Sequence, residues 1–194
     1  MNSSRKTHAF RFHPLNVALA AMALLLLVLV APAGAAPVDD NRAPDLGVGD
    51  CQKLQVPQGN KVSFHGFGVG VQIYQWNGAN WTFVAPEATL FANAGDDGEV
   101  AIHFGGPTWQ SNSGSKVVGK VLQHCTPDPD AIPWLLLASV PELTEGPGIF
   151  ADVTYIQRVN TVGGNAPTEP GNSVGEFARV PYTADYFFYH QAGQ

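Results

Sequence analysis

The chain is short of charge, short of helix and almost free of cysteine. Only 13% of its 194 residues are Asp, Glu, Lys or Arg. Past residue 36, no stretch offers three clean turns of apolar residues at helical spacing, so a helical bundle is excluded. No His-x-His or His-Glu-x-x-His occurs, and no metal is expected. No Gly-x-Ser-x-Gly marks a serine hydrolase, and Ser115 after Gly114 reads as a hairpin turn. The glycines at 66, 68 and 70 lie between strand-like runs with no helix after them. A dinucleotide fingerprint is therefore absent, and no cofactor is expected.

One long hydrophobic run is present, and it stands near the N-terminus. Arg5, Lys6 and Arg11 precede an uncharged stretch over 17–30, and Ala33-Gly34-Ala35 follows. That layout is a secretory signal over 1–35, cleaved after Ala35. Pro32 and Gly34 interrupt its end and no basic cluster follows, which disfavours a retained anchor and stable membrane insertion. The expected destination is the medium, the periplasm or the cell envelope.

Removing the signal sharpens the charge balance. Ten Lys+Arg stand against sixteen Asp+Glu in the whole chain, a net of −6. Three of the basic residues and none of the acidic ones lie in the signal, which leaves −9. Nucleic acid and anionic membrane both require basic patches, so neither is an expected partner. Cys51 and Cys125 both survive processing, and an even count in an exported chain reads as a disulfide.

Residues 36–53 read as a flexible acidic leader, with Asp39, Asp40, Asp45 and Asp50 among prolines and glycines. Over 54–194 the pattern is a single β domain. Runs at 62–67, 69–76, 81–84 and 88–92 are separated by turn residues such as Asn77-Gly78 and Gly95-Asp96-Asp97-Gly98. Val100, Ile102 and Phe104 alternate with Glu99, Ala101 and His103. Trp134-Leu135-Leu136-Leu137 is a continuous apolar run, and Tyr182, Ala184, Tyr186 and Phe188 alternate near the end. This predicts an all-β antiparallel sandwich or barrel of nine to eleven short strands. Residues 163–175 read as a surface loop.

The segments 103–109 (HFGGPTW), 114–119 (GSKVVG), 131–137 (AIPWLLL), 155–161 (YIQRVNT) and 180–186 (VPYTADY) together resemble an exported bacterial and fungal family. It is known as domain of unknown function 3455 (DUF3455), and the likeness covers about 54–189. The resemblance implies a secreted domain without an assigned activity. Family members place one cysteine after the Gln-Ile-Tyr stretch and another in the loop after Ala-Pro. Here Trp76 fills the first position and the loop has none, so Cys51 and Cys125 would be a staple at another place.

The candidate chemistry is sparse. His103 is the strongest single residue: its face carries Glu99, and Trp109 follows a Gly-Gly-Pro turn. It reads either as an acid/base or as a structural histidine bonded to that turn, and the second reading is preferred. Trp81 and Trp109, beside polar turn residues, are candidates for stacking a ligand. Asp185, flanked by aromatics, reads either as a buried acid with a raised pKa or, the preferred reading, as a strand-end cap or a partner of Arg158 or Arg179. The leading expectation is a non-enzymatic extracellular binding module for a carbohydrate, polymer or protein, through Trp81, Trp109 and His103. The alternatives are a hydrolase or isomerase built around His103, and a structural or stress-related envelope protein.

Overall fold

The structure is a computed structural model that describes residues 42–193. The expected signal over 1–35 and the first part of the leader lie outside the described residues. Eight antiparallel strands follow one another round a closed barrel: β1 (Asn60–Trp76), β2 (Trp81–Phe91), β3 (Glu99–Phe104), β4 (Thr108–Ser111), β5 (Lys116–Cys125), β6 (Trp134–Ser139), β7 (Val153–Gly163) and β8 (Phe177–Gln191). Each strand pairs with its sequence neighbours, and β1 closes the ring on β8 from Asn60↔Gln191 to Gln75↔Phe177.

The all-β expectation holds, and between sandwich and barrel the answer is a barrel. Among the described residues the strands number eight, slightly below the expected nine to eleven. Glycines 66, 68 and 70, which look like breaks, lie inside the 17-residue β1. Pro86 lies inside β2, beyond the end of the β2–β3 ladder, which begins at Ala88↔His103. A bulge that skips Val84 adjoins it in the pairing with β1, so the proline removes little from the ladder. Asn77-Gly78 does form the β1–β2 turn: Gly78 has φ +98°, and Asn77 Oδ1 accepts from the amides of Ala79 and Asn80 at 2.9 and 2.8 Å.

Alternation sends every second side chain inward. Leu90, Ala101, Trp109, Val117, Leu137, Ile156, Tyr186 and Phe188 fill the interior. Phe150, from the β6–β7 connection, plugs one end. It is fully buried against Phe64 and Phe188, and its amide donates to the Ser115 hydroxyl at 3.3 Å. Ser115 is thus a buried structural residue of the plug, tied to Ser111 at 2.8 Å.

A second apolar cluster lies on the outer face, where Leu136, Val159, Phe187 and Tyr189 meet Leu46, Cys51 and Leu54. The leader expectation over 36–53 therefore fails from Leu46 onward. Asp50–Leu54 forms a 3-10 turn, and the buried Gln157 amide donates to the Leu54 carbonyl at 2.7 Å. Cys51 and Cys125 form the disulfide, with Cα atoms 5.3 Å apart.

The disulfide holds this strap against β5 and closes a loop with a sequence separation of 74. Replacing both cysteines with serine is expected to lower unfolding stability by about 2–4 kcal/mol, measured by urea denaturation. A loss below about 0.5 kcal/mol would mean that the strap contributes nothing to the barrel.

Candidate functional site

The turn from β3 to β4, Gly105-Gly106-Pro107, sets the first site residue. Gly106 has φ +88°, a backbone position that suits glycine. The turn brings the Thr108 carbonyl back to His103, whose Nδ1 donates to it at 2.8 Å. A carbonyl only accepts, so in the neutral ring the proton is on Nδ1 and Nε2 is bare. The ring stacks on Trp109, with centroids 4.3 Å apart and planes 7° off parallel, and meets the edge of Tyr186. Burial drives its pKa down to about 3; the Thr108 bond opposes this and the charge of Arg158 adds to it.

His103 does lie on the face opposite Val100, Ile102 and Phe104, but that face is the interior. Ala101 and His103 are buried, whereas Ile102 is 44% exposed. The expected neighbour Glu99 is an exposed residue at the start of β3 and is not part of the site. The structure gives His103 the turn hydrogen bond that one of its two readings required.

Above His103 the barrel is open. A cavity of about 310 Å³ is lined by Gln72, Tyr74, His103 and Arg158, with Phe83, Val84, Val121 and Leu135 among the apolar residues around it. Arg158 projects inward from β7 and donates to the Pro133 carbonyl through Nε at 3.2 Å and Nη2 at 2.7 Å. No carboxylate among the described residues pairs with it. Gln72 is 2% exposed, and its Nε2 makes no hydrogen bond of ordinary length. Tyr74 donates to the Gly164 carbonyl at 2.7 Å, and the Tyr182 and Tyr186 hydroxyls lie 3.0 Å apart. Burial raises the pKa of all three tyrosines, and the charge of Arg158 only partly offsets it.

The family model for DUF3455, a protein of unknown function, matches residues 57–190. The chain belongs to the DUF3455 family. No curated protein and no solved structure matches it. In this DUF3455 barrel the matched span runs from just before β1 nearly to the end of β8.

The other expected site residues are scattered. Trp109 is 1% exposed and belongs to the core, so it offers no face to an outside ligand. Trp81 is half-buried outside the cavity; its Nε1 donates to the Glu169 carbonyl at 2.9 Å, and it packs on Trp76. Asp185 points outward. Its partners are Asn160, which donates at 2.7 Å, and His65, at the ion-pair distance of 3.7 Å, rather than Arg158 or Arg179. Partial burial pushes its pKa up, but these two neighbours outweigh that and hold it below the ordinary value, the reverse of the expected direction.

Sequence reasoning does not reach Arg158, Gln72 or Tyr74 as site residues. The available signal was a lone arginine in mid-strand, with Ile156 and Asn160 rather than an acid two residues away. The cysteine departure also has a structural counterpart. Trp76, where the resemblance leads one to expect a cysteine, ties down the long loop after β7. Its amide donates to the Glu176 carbonyl at 2.8 Å, and a Cβ on Gly171 would lie 2.6 Å from the indole.

Unfolded histidine takes a proton near pH 6.5, whereas native His103 refuses one until about pH 3. Unfolding therefore binds a proton as the pH falls, and stability declines below pH 6.5. Between pH 6.5 and 4.5 the loss from this residue should be about 2–3 kcal/mol. Asp185, whose folded pKa is depressed, contributes its own loss only at lower pH. Urea denaturation of wild type and His103→Asn across this window should show the slope flattening in the variant; equal slopes would contradict the assignment.

Proposed function

We propose that this DUF3455 protein is a non-catalytic, exported binding module whose ligand sits in the open mouth of the barrel. The observation that carries this reading is the state of the groups around the cavity. His103 is held neutral down to about pH 3, and the cavity's phenol, Tyr74, is pushed up by burial. General acid/base work needs a group poised near the working pH, and none lines this cavity. A concave pocket holding His103 with two further titratable groups would favour the hydrolase or isomerase reading, and Tyr74 and Arg158 line this one, but the protonation states oppose that reading.

An eight-stranded barrel is just wide enough to hold one small ligand when its interior is not filled by side chains. The unfilled part here is the mouth, with an apolar rim and a few polar groups below. The site favours a small molecule over a polymer or a protein, because the polar groups are recessed. Export is supported by the signal-like N-terminus and agrees with the disulfide. Among the described residues no helix is long and apolar enough to cross a membrane.

A neutral apolar fluorophore, N-phenyl-1-naphthylamine, tests the mouth directly. Its emission should rise saturably with one site per chain. Val121→Trp, at a rim position that is 47% exposed, should abolish the rise and leave the melting temperature within a degree or two of wild type. Non-saturable emission, or binding that Val121→Trp leaves intact, would remove the mouth as the ligand site.

A further inference from the structure

We infer that the mouth selects a small monocarboxylate with an apolar body, its head group seated on Arg158 and Gln72. This rests on the mouth being the ligand site and adds the chemistry of the ligand. The lining residues include no Asp, Glu or Lys, and His103 is neutral, so Arg158 is the one charge facing the cavity. A larger depression among the described residues, about 410 Å³ on the outer face of β1–β3, differs in this respect. Its arginine, Arg179, is already paired with Glu87 at 2.7 Å.

Arg158 spends two donors on one carbonyl oxygen and lies within reach of the Tyr186 hydroxyl. A guanidinium has five N–H donors, so the fork is only partly used. Gln72 supplies a second donor: its buried Nε2 lines the same cavity, within reach of the Tyr182 hydroxyl but without a hydrogen bond of ordinary length. A buried donor so weakly partnered is costly, and an acceptor on the ligand would satisfy it more fully. One guanidinium with one amide matches the two oxygens of a carboxylate. A phosphate carries more charge than a single cation balances. A bare sugar would leave Phe83, Val84, Val121 and Leu135 facing hydroxyls, whereas an acyl or aryl body covers them.

Three probes of equal chain length separate the possibilities: octanoate, octanol and octyltrimethylammonium, titrated by calorimetry into the processed chain at neutral pH. Octanoate should bind at least tenfold more tightly than octanol, and the ammonium should not bind. Arg158→Gln should bring octanoate down to the affinity of octanol. Because Arg158 also anchors Pro133, Gln72→Leu serves as the second variant: it should weaken octanoate several-fold and leave octanol unchanged. Equal binding of octanoate and octanol would overturn the anion assignment and leave the mouth as a ligand site. The anion assignment falls in the same way if neither binds while N-phenyl-1-naphthylamine does. Failure of octanoate, octanol and the fluorophore alike would overturn both readings.

Discussion

The interior of this barrel depends on a glycine row in the first strand that lets neighbouring strands and the Tyr186 ring of the last close in on it. Gly66, Gly68 and Gly70 face inward from β1, next to β8. A Cβ on Gly68 would stand 2.5 Å from Cε2 of Tyr186, and one on Gly70 would run into the Glu87 carbonyl and Ala88. Across the barrel Gly119 does the same for Trp109 and Leu137, whose nearest atoms would be 3.2 and 2.9 Å from an added Cβ. Aromatic side chains thus occupy volume that β-branched residues on the same strands would otherwise take. Tyr186 can then set its edge against both His103 and Trp109, with centroids 5.3 and 5.6 Å away. His103 is consequently clamped between a ring stack and a backbone carbonyl. Its neutrality is first a product of packing, and the charge of Arg158 adds to it.

The two ends of the barrel are built from different connections, and this is why only one of them is open. The β6–β7 connection is long enough to fold Phe150 back onto Phe64 and Phe188, which seals its end with three rings. At the other end, the β3–β4 connection is a tight Gly-Gly-Pro turn without a side chain able to reach inward. The β5–β6 connection contributes Pro133, whose carbonyl is turned to Arg158. The long loop after β7 is held aside by Trp76 and Trp81 and does not fold over the mouth. Small, stiff turn residues leave a space that bulky ones at the opposite end fill.

Much of this was legible along the chain, and the failures have physical causes. Period-two alternation in β3 and β8 correctly separated the two faces of each strand. Which face was inner did not follow from hydrophobicity, because a small closed barrel limits the size of what points inward. Ala101 and His103 fit inside β3, while the larger Ile102 is left on the outer surface. Glycine and proline looked like strand breaks and inflated the count. In fact Gly66 and Gly68 lie against rings, and Pro86 sits beyond the end of the β2–β3 ladder while still pairing with Gln72 of β1. The site itself was only half visible. His103 stands out by type, but Gln72, Tyr74 and Arg158 come from two strands far apart in sequence. Only the closure of β1 on β8, with β7 alongside, brings them to one mouth.

The electrostatics of that mouth bear on function more strongly than its residue types do. Histidine, tyrosine and arginine in one cavity would suggest acid/base chemistry if each titrated near its ordinary value. Burial moves the imidazole down and the phenols up, which widens the gap in which neither changes charge. Arg158 reinforces the effect on His103, since a second positive charge close by is disfavoured. Its own charge is half-buried, stabilised by the Pro133 carbonyl and without an acid to neutralise it. In a chain whose net charge is −6, one such cation recessed below an apolar rim is an isolated positive site in a negative surround. Long-range steering would slow the approach of an anion, so affinity has to come from close contact: the guanidinium fork, the Gln72 amide and the apolar wall acting together.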